Sequence, residues 1–212
     1  MTQAILYIHG QGGNPQEAEQ YRAICPDLDL IGVEYPQQYP WDALPVIQAA
    51  YEEARRTHSQ IWLLANSIGA YFGMLALQDR PIEKALLISP VLDMERLILD
   101  MMSWAGVSEA ELQARGEIAT SFGQTLSWKY LVYVREHPIQ WNVPTEILYG
   151  EKDELISRQT VDRFVASHPC TELTMMQGGE HWFHTESQLA FLNRWLAKAV
   201  SHALDIFQKR AD

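Results

Sequence analysis

The sequence predicts an α/β protein, a parallel sheet of about six strands with helices on both faces and a small, mostly helical insertion. Three observations carry this expectation. Short apolar runs, too short for helices, recur at about 4–9, 30–34, 61–66, 85–89, 146–149 and 172–176. Helix-forming segments separate them, and strands alternating with helices imply right-handed crossovers between parallel neighbours buried on both faces. One interval, about 92–143, is too long for a single crossover helix and has room for an insertion.

Taken in order, the first run, Ile5-Leu6-Tyr7-Ile8, ends in His9-Gly10-Gln11-Gly12-Gly13, a glycine-rich loop able to present backbone N–H groups to an oxyanion. The third run, Ile61-Trp62-Leu63-Leu64-Ala65-Asn66, meets Ser67 and then Gly69-Ala70-Tyr71-Phe72-Gly73-Met74-Leu75-Ala76-Leu77, which carries helix formers. A strand, a sharp turn and a helix with serine at the apex is the geometry that presents a nucleophile. Ala65-Asn66-Ser67-Ile68-Gly69 matches G-x-S-x-G with alanine in place of the first glycine. Serine before a helix is also a common N-cap, so these five residues alone leave a structural role open.

After the fourth run, 93–103 has helical spacing, Ser108 with Glu111 forms a capping-box pattern, and 128–136 reads as a third helix. Met94, Leu97, Ile98, Met101, Met102 and Trp104 form an apolar stripe that either packs on the core or lines an acyl pocket; Met101 and Trp104 are the substrate-binding candidates. The fifth run leads through Tyr149-Gly150-Glu151-Lys152 to Asp153. The sixth is followed by Gln177-Gly178-Gly179-Glu180-His181-Trp182-Phe183-His184, a glycine turn with a histidine before the last helix.

With Ser67, Asp153 and His181 in this order behind a glycine-rich first loop, the sequence resembles the α/β-hydrolase superfamily over nearly its whole length. The resemblance implies the strand order 2-1-3-4-5-6, loss of the two antiparallel strands that usually come first, and a cap inserted after the fourth strand. It further implies a serine hydrolase cleaving a small carboxylic ester or thioester through an acyl-enzyme. Ser67 would be the nucleophile, His181 the base, Asp153 the residue orienting it, and the backbone N–H groups of Gln11 and Ile68 the oxyanion hole. Asp153 is preferred over Asp93, the rival acid after the fourth strand, because strand, turn and acid follow the form usual in the family. His9 belongs by its position to the architecture of the first loop. An amidase or C–C hydrolase would use the same triad, and a binding or scaffold protein on this fold is the alternative of a different class.

Composition bounds the partners. The 212 residues, 47% hydrophobic and 20% charged, can bury one substantial core, so one domain with the lid at about 92–143 is expected. A formal net charge of -11 without a long basic run argues against nucleic acid. The chain enters a strand directly after Met1-Thr2-Gln3, and no stretch approaches the roughly 20 apolar residues of a membrane span, so no membrane partner and a cytoplasmic location are expected. Cys25 and Cys170 read as reduced packing residues. Glu180-His181-Trp182-Phe183-His184 is not the H-E-x-x-H zinc arrangement, so neither a metal nor a cofactor is expected. The expected partner is a small-molecule acyl substrate.

Overall fold

The computed structural model describes residues 2–211, with side chains described for residues 2–201. Its central sheet contains β1 (Gln3–Ile8), β2 (Asp29–Gly32), β3 (Gln60–Asn66), β4 (Lys84–Ile88), β7 (Thr145–Gly150) and β8 (Thr171–Met176), in the order β2-β1-β3-β4-β7-β8. All five pairings are parallel. This is the 2-1-3-4-5-6 order implied by the resemblance, and each strand lies within a residue or two of its expected span. The helices are α1 (Pro40–Thr57), α2 (Ile68–Leu77), α3 (Met94–Ala105), α4 (Glu109–Arg115), α5 (Trp128–Glu136), α6 (Arg158–Ser167) and α7 (Glu186–Ala211), with a 3₁₀ helix at Pro15–Tyr21.

The continuous apolar runs follow from burial on both faces. Successive side chains alternate across a strand, so Ala4, Leu6 and Ile8 face one core while Ile5 and Tyr7 face another; Leu63 and Ala65 separate from Trp62 and Leu64 in the same way. The larger core takes its cover from α1, α2, α6 and the inserted helices, the smaller from the 3₁₀ helix and α7. At the edge, β8 is only partly covered, and half-exposed residues replace the continuous buried run. Lys84 joins β4, β7 and α7, since its ammonium donates to Glu146 at 2.6 Å and to the Ala199 carbonyl at 3.0 Å.

Between β4 and β7 the chain builds α3 and α4, a small antiparallel hairpin of β5 (Glu117–Ala119) and β6 (Thr125–Ser127), and α5. Side-chain caps fix the helix starts: Asp93 accepts from the Arg96 N–H, Ser108 from Glu111 and Ser127 from Tyr130. Arg135 on α5 bridges Glu95 at 2.6 Å and Glu109 at 2.8 Å, tying the three helices together. The hairpin is an addition to the helical insertion read from sequence. Among the described residues, no helix is long and apolar enough to cross a membrane.

Candidate active site

Ser67 occupies the turn between β3 and α2 with φ 52° and ψ -121°, a conformation that costs a non-glycine residue on the order of 1–3 kcal/mol. The surroundings enforce it. Its N–H donates to the Ile88 carbonyl at 3.0 Å, and its carbonyl accepts from Val91 at 3.0 Å, pinning the turn to the end of β4 and the chain that follows. Its hydroxyl does not cap the helix. Instead Ser67 Oγ lies 2.9 Å from His181 Nε2, and His181 Nδ1 lies 2.7 Å from Asp153 Oδ2. Residues 114 and 28 positions apart in sequence thus form one hydrogen-bonded line.

Glycine makes the close approaches in this line. A Cβ on Gly69 would collide with the backbone carbonyls of Ile8 and His9, so only glycine lets α2 start against the end of β1. At Gly150 a Cβ would lie 2.5 Å from the Glu180 carbonyl oxygen, so glycine also lets the end of β7 touch the loop carrying His181. Asp153 is the better held of the two acids considered. Its Oδ1 accepts from the Leu155 N–H at 2.9 Å and the Ile156 N–H at 2.8 Å, leaving Oδ2 for the imidazole. This buried carboxylate therefore has the donors that burial demands. Asp93 is engaged elsewhere, as the N-cap of α3.

The first loop is braced from a distance. Gln37, in the connection from β2 to α1, accepts from the Gly12 N–H at 2.6 Å and donates to the Gly13 carbonyl at 3.1 Å. Tyr35 donates to the His9 carbonyl at 2.6 Å, and the buried His9 ring contacts the Gly10 carbonyl through Nδ1 at 3.0 Å. Sequence reading missed Gln37, because its partners lie 24 and 25 residues away and no local pattern announces the pairing.

A cavity of about 410 Å³ opens above Ser67, and Gln11 and Ile68 both line it. Ile68 is the first residue of α2, where backbone N–H groups have no intrahelical acceptor and carry the positive end of the helix dipole. Val91, Met94, Leu97, Ile98, Met101, Leu126 and Leu155 supply apolar wall, while Gln37, Gln38, Gln124, Thr125 and Ser127 supply a neutral polar one. Among the described residues, no charged side chain lines it. Of the two pocket candidates, Met101 faces this space and Trp104 does not. Trp104 lies in the last turn of α3, past the stripe formed by 94, 97, 98 and 101; it is 53% exposed and packs edge-on to Phe122. His184 is also outside the line, with Nδ1 2.7 Å from the Trp182 carbonyl oxygen. Among the described residues, no group of three or more His, Cys, Asp or Glu side chains is arranged to hold a metal ion.

No family model matches the sequence, and no curated protein matches it. Solved structures do. Est1E from Butyrivibrio proteoclasticus with ferulic acid bound is similar at a TM-score of 0.76 and 17% identity, covering 97% of this chain and 90% of that one. Alpha/beta hydrolase domain-containing protein 10 from mouse gives 0.70 and 14%, over 94% of this chain and 90% of that one. The propionate-bound esterase Est2 from Thermogutta terrifontis gives 0.64 and 17%, over 97% and 84%. At these identities the likeness establishes the architecture, which is the α/β-hydrolase fold.

Proposed function

On this fold, we propose that the chain is a serine hydrolase that cleaves a small carboxylic ester or thioester through an acyl-enzyme on Ser67. The observation that carries the reading is the continuous line from Ser67 Oγ through both nitrogens of His181 to Asp153 Oδ2, with bonds of 2.9 and 2.7 Å. Neutral serine is a weak nucleophile, and a base already within hydrogen-bond reach is what activates it. Ser67 Oγ attacks the carbonyl carbon as His181 Nε2 takes the hydroxyl proton. Asp153 holds the Nδ1–H tautomer and stabilises the imidazolium. Negative charge forming on the carbonyl oxygen is met by the N–H groups of Gln11 and Ile68, a contribution of about 2.7–4 kcal/mol per donor in enzymes where one has been removed.

Collapse of the tetrahedral intermediate breaks the bond to the alcohol or thiol, which leaves with the proton from His181. Water, deprotonated by the same histidine, then releases the acid and regenerates Ser67. The cavity supports a small acyl group, since about 410 Å³ lies within the range of small-molecule sites and its lining is neutral. Esterase names among the similar structures, Est1E and Est2, favour an ester substrate. A fluorophosphonate probe tests the reading. It should label folded protein at Ser67 and fail on Ser67→Ala; labelling retained in that variant would refute the assignment.

A further inference from the structure

His181 Nε2 meets Ser67, which lines the cavity, while His181 itself lines a more open groove of about 390 Å³ formed with Lys152, Glu154, Leu155, Glu180, Trp182 and His184. Leu155 lines both, so cavity and groove adjoin at the residue whose N–H donates to Asp153. Trp182 follows His181 in sequence and is 73% exposed, more than any other large hydrophobic side chain among the described residues. A single exposed tryptophan needs no explanation by itself. What distinguishes Trp182 is its place on the wall of a groove that begins at the proposed general acid.

The inference rests on the hydrolase reading, because acyl-enzyme chemistry divides an ester into two parts with separate destinations. The acyl part stays on Ser67, beside the cavity. The departing oxygen must come within hydrogen-bond reach of His181 Nε2 to receive its proton, so the group attached to that oxygen lies beside the imidazole and leaves past it. The groove is a space lined by that histidine, and its chemistry differs from that of the cavity. Trp182 offers a broad flat ring with the His184 ring tilted against it, centroids 5.3 Å apart and planes at 32°. The rim carries both signs, Lys152 against Glu154 and Glu180. Glu180 is in part engaged already, accepting from Gln188 Nε2 at 3.2 Å and lying 3.5 Å from His184 Nδ1. Mixed charge favours neither an anionic nor a cationic occupant, while an exposed indole favours a flat apolar one, since offset or edge-on aromatic contacts add to simple burial.

We propose that this groove is the leaving-group subsite and that Trp182 selects esters of uncharged, flat aromatic alcohols by packing against the departing ring. The test compares naphthylmethyl acetate with ethyl acetate in wild type, Trp182→Phe and Trp182→Ala. The readout is the selectivity ratio, kcat/KM for the aromatic ester over that for the ethyl ester, and its change between variants cancels the intrinsic reactivity of each leaving group. Trp182→Ala should lower the ratio by roughly three- to tenfold, and Trp182→Phe should retain most of it. An unchanged ratio in Trp182→Ala, including an equal fall on both esters, overturns the proposal. A second measurement works without turnover: saturation-transfer NMR of naphthylmethanol with Ser67→Ala protein should show binding, lost when Trp182→Ala is added. Alcohol binding that depends on Trp182, in protein that hydrolyses no ester, would keep the subsite and refute the hydrolase reading. Ester hydrolysis with selectivity indifferent to position 182 would do the reverse.

Discussion

Gly150→Ala tests whether the loops carrying Asp153 and His181 must touch for the line from Ser67 through His181 to Asp153 to close. Gly150 ends β7 and pairs in register with Met176 at the end of β8. An added Cβ would stand 2.5 Å from the Glu180 carbonyl oxygen and 2.6 Å from that of Gly179, about 0.9 Å short of the 3.4 Å at which ordinary contact begins. Neither loop can give freely. Lys152 N–H donates to the Gly179 carbonyl at 2.7 Å, Glu151 N–H to Met176 at 3.0 Å, and Gly178 N–H to the Glu151 carboxylate at 2.8 Å. The displacement therefore passes to the 2.7 Å bond between Asp153 and His181. Overpacking of this kind costs about 1–3 kcal/mol, whereas alanine for glycine in an unhindered strand would stabilise by roughly 0.5–1 kcal/mol. A misplacement near 1 Å in a catalytic group lowers turnover by about 10²-fold. Urea denaturation and kcat on p-nitrophenyl acetate should show both losses. Gly106→Ala is the control: at φ 66° with open space around it, it should cost about 1–2 kcal/mol of stability and leave kcat near wild type. A Gly150→Ala protein with wild-type stability and turnover would show that the two loops need not touch at Gly150.

Asp153→Asn should lower kcat by up to about 10⁴-fold, on precedent from a triad acid in another fold, while Asp93→Asn should cost at most about 1 kcal/mol through the α3 cap; steady-state kinetics and urea melts separate them. Across p-nitrophenyl esters of rising acyl length, kcat/KM should climb roughly fourfold per methylene until the cavity fills, and Met101→Ala should alter that profile where Trp104→Ala does not. Burial pushes the Cys25 thiol up to about 11, so at pH 8 a thiol reagent should modify only Cys170 in native protein and both cysteines in denaturant; two fast-reacting thiols in the native state would contradict the burial of Cys25.

The sheet was legible in the sequence because burial on both faces leaves continuous apolar runs, as in Ile61-Trp62-Leu63-Leu64-Ala65. The α5 bounds, Trp128–Glu136, follow from Ser127 as cap and the proline after His137. The β5–β6 hairpin leaves no periodic signal because each strand has three residues and only one large apolar side chain, Ile118 or Leu126, too few to show a period. Trp104 shares the helical spacing of Met101, and spacing does not reveal where a cavity ends along a helix. Ser67, Asp153 and His181 stood out through chain order and the glycines around them. Gln37 and the groove beside Trp182 depend on contacts between distant loops, which leave no local mark.

An acyl-enzyme on Ser67 is detected by the mass of the intermediate. Protein mixed with p-nitrophenyl acetate, quenched in acid within the first turnovers and digested, should carry one acetyl group on the peptide containing Ser67. The acetyl should be absent from Ser67→Ala and strongly reduced in His181→Ala, in keeping with the 2.9 Å contact between the two side chains. Ester turnover with no acetyl on that peptide, or acetylation undiminished in His181→Ala, would rule out Ser67 activated by His181 as the nucleophile.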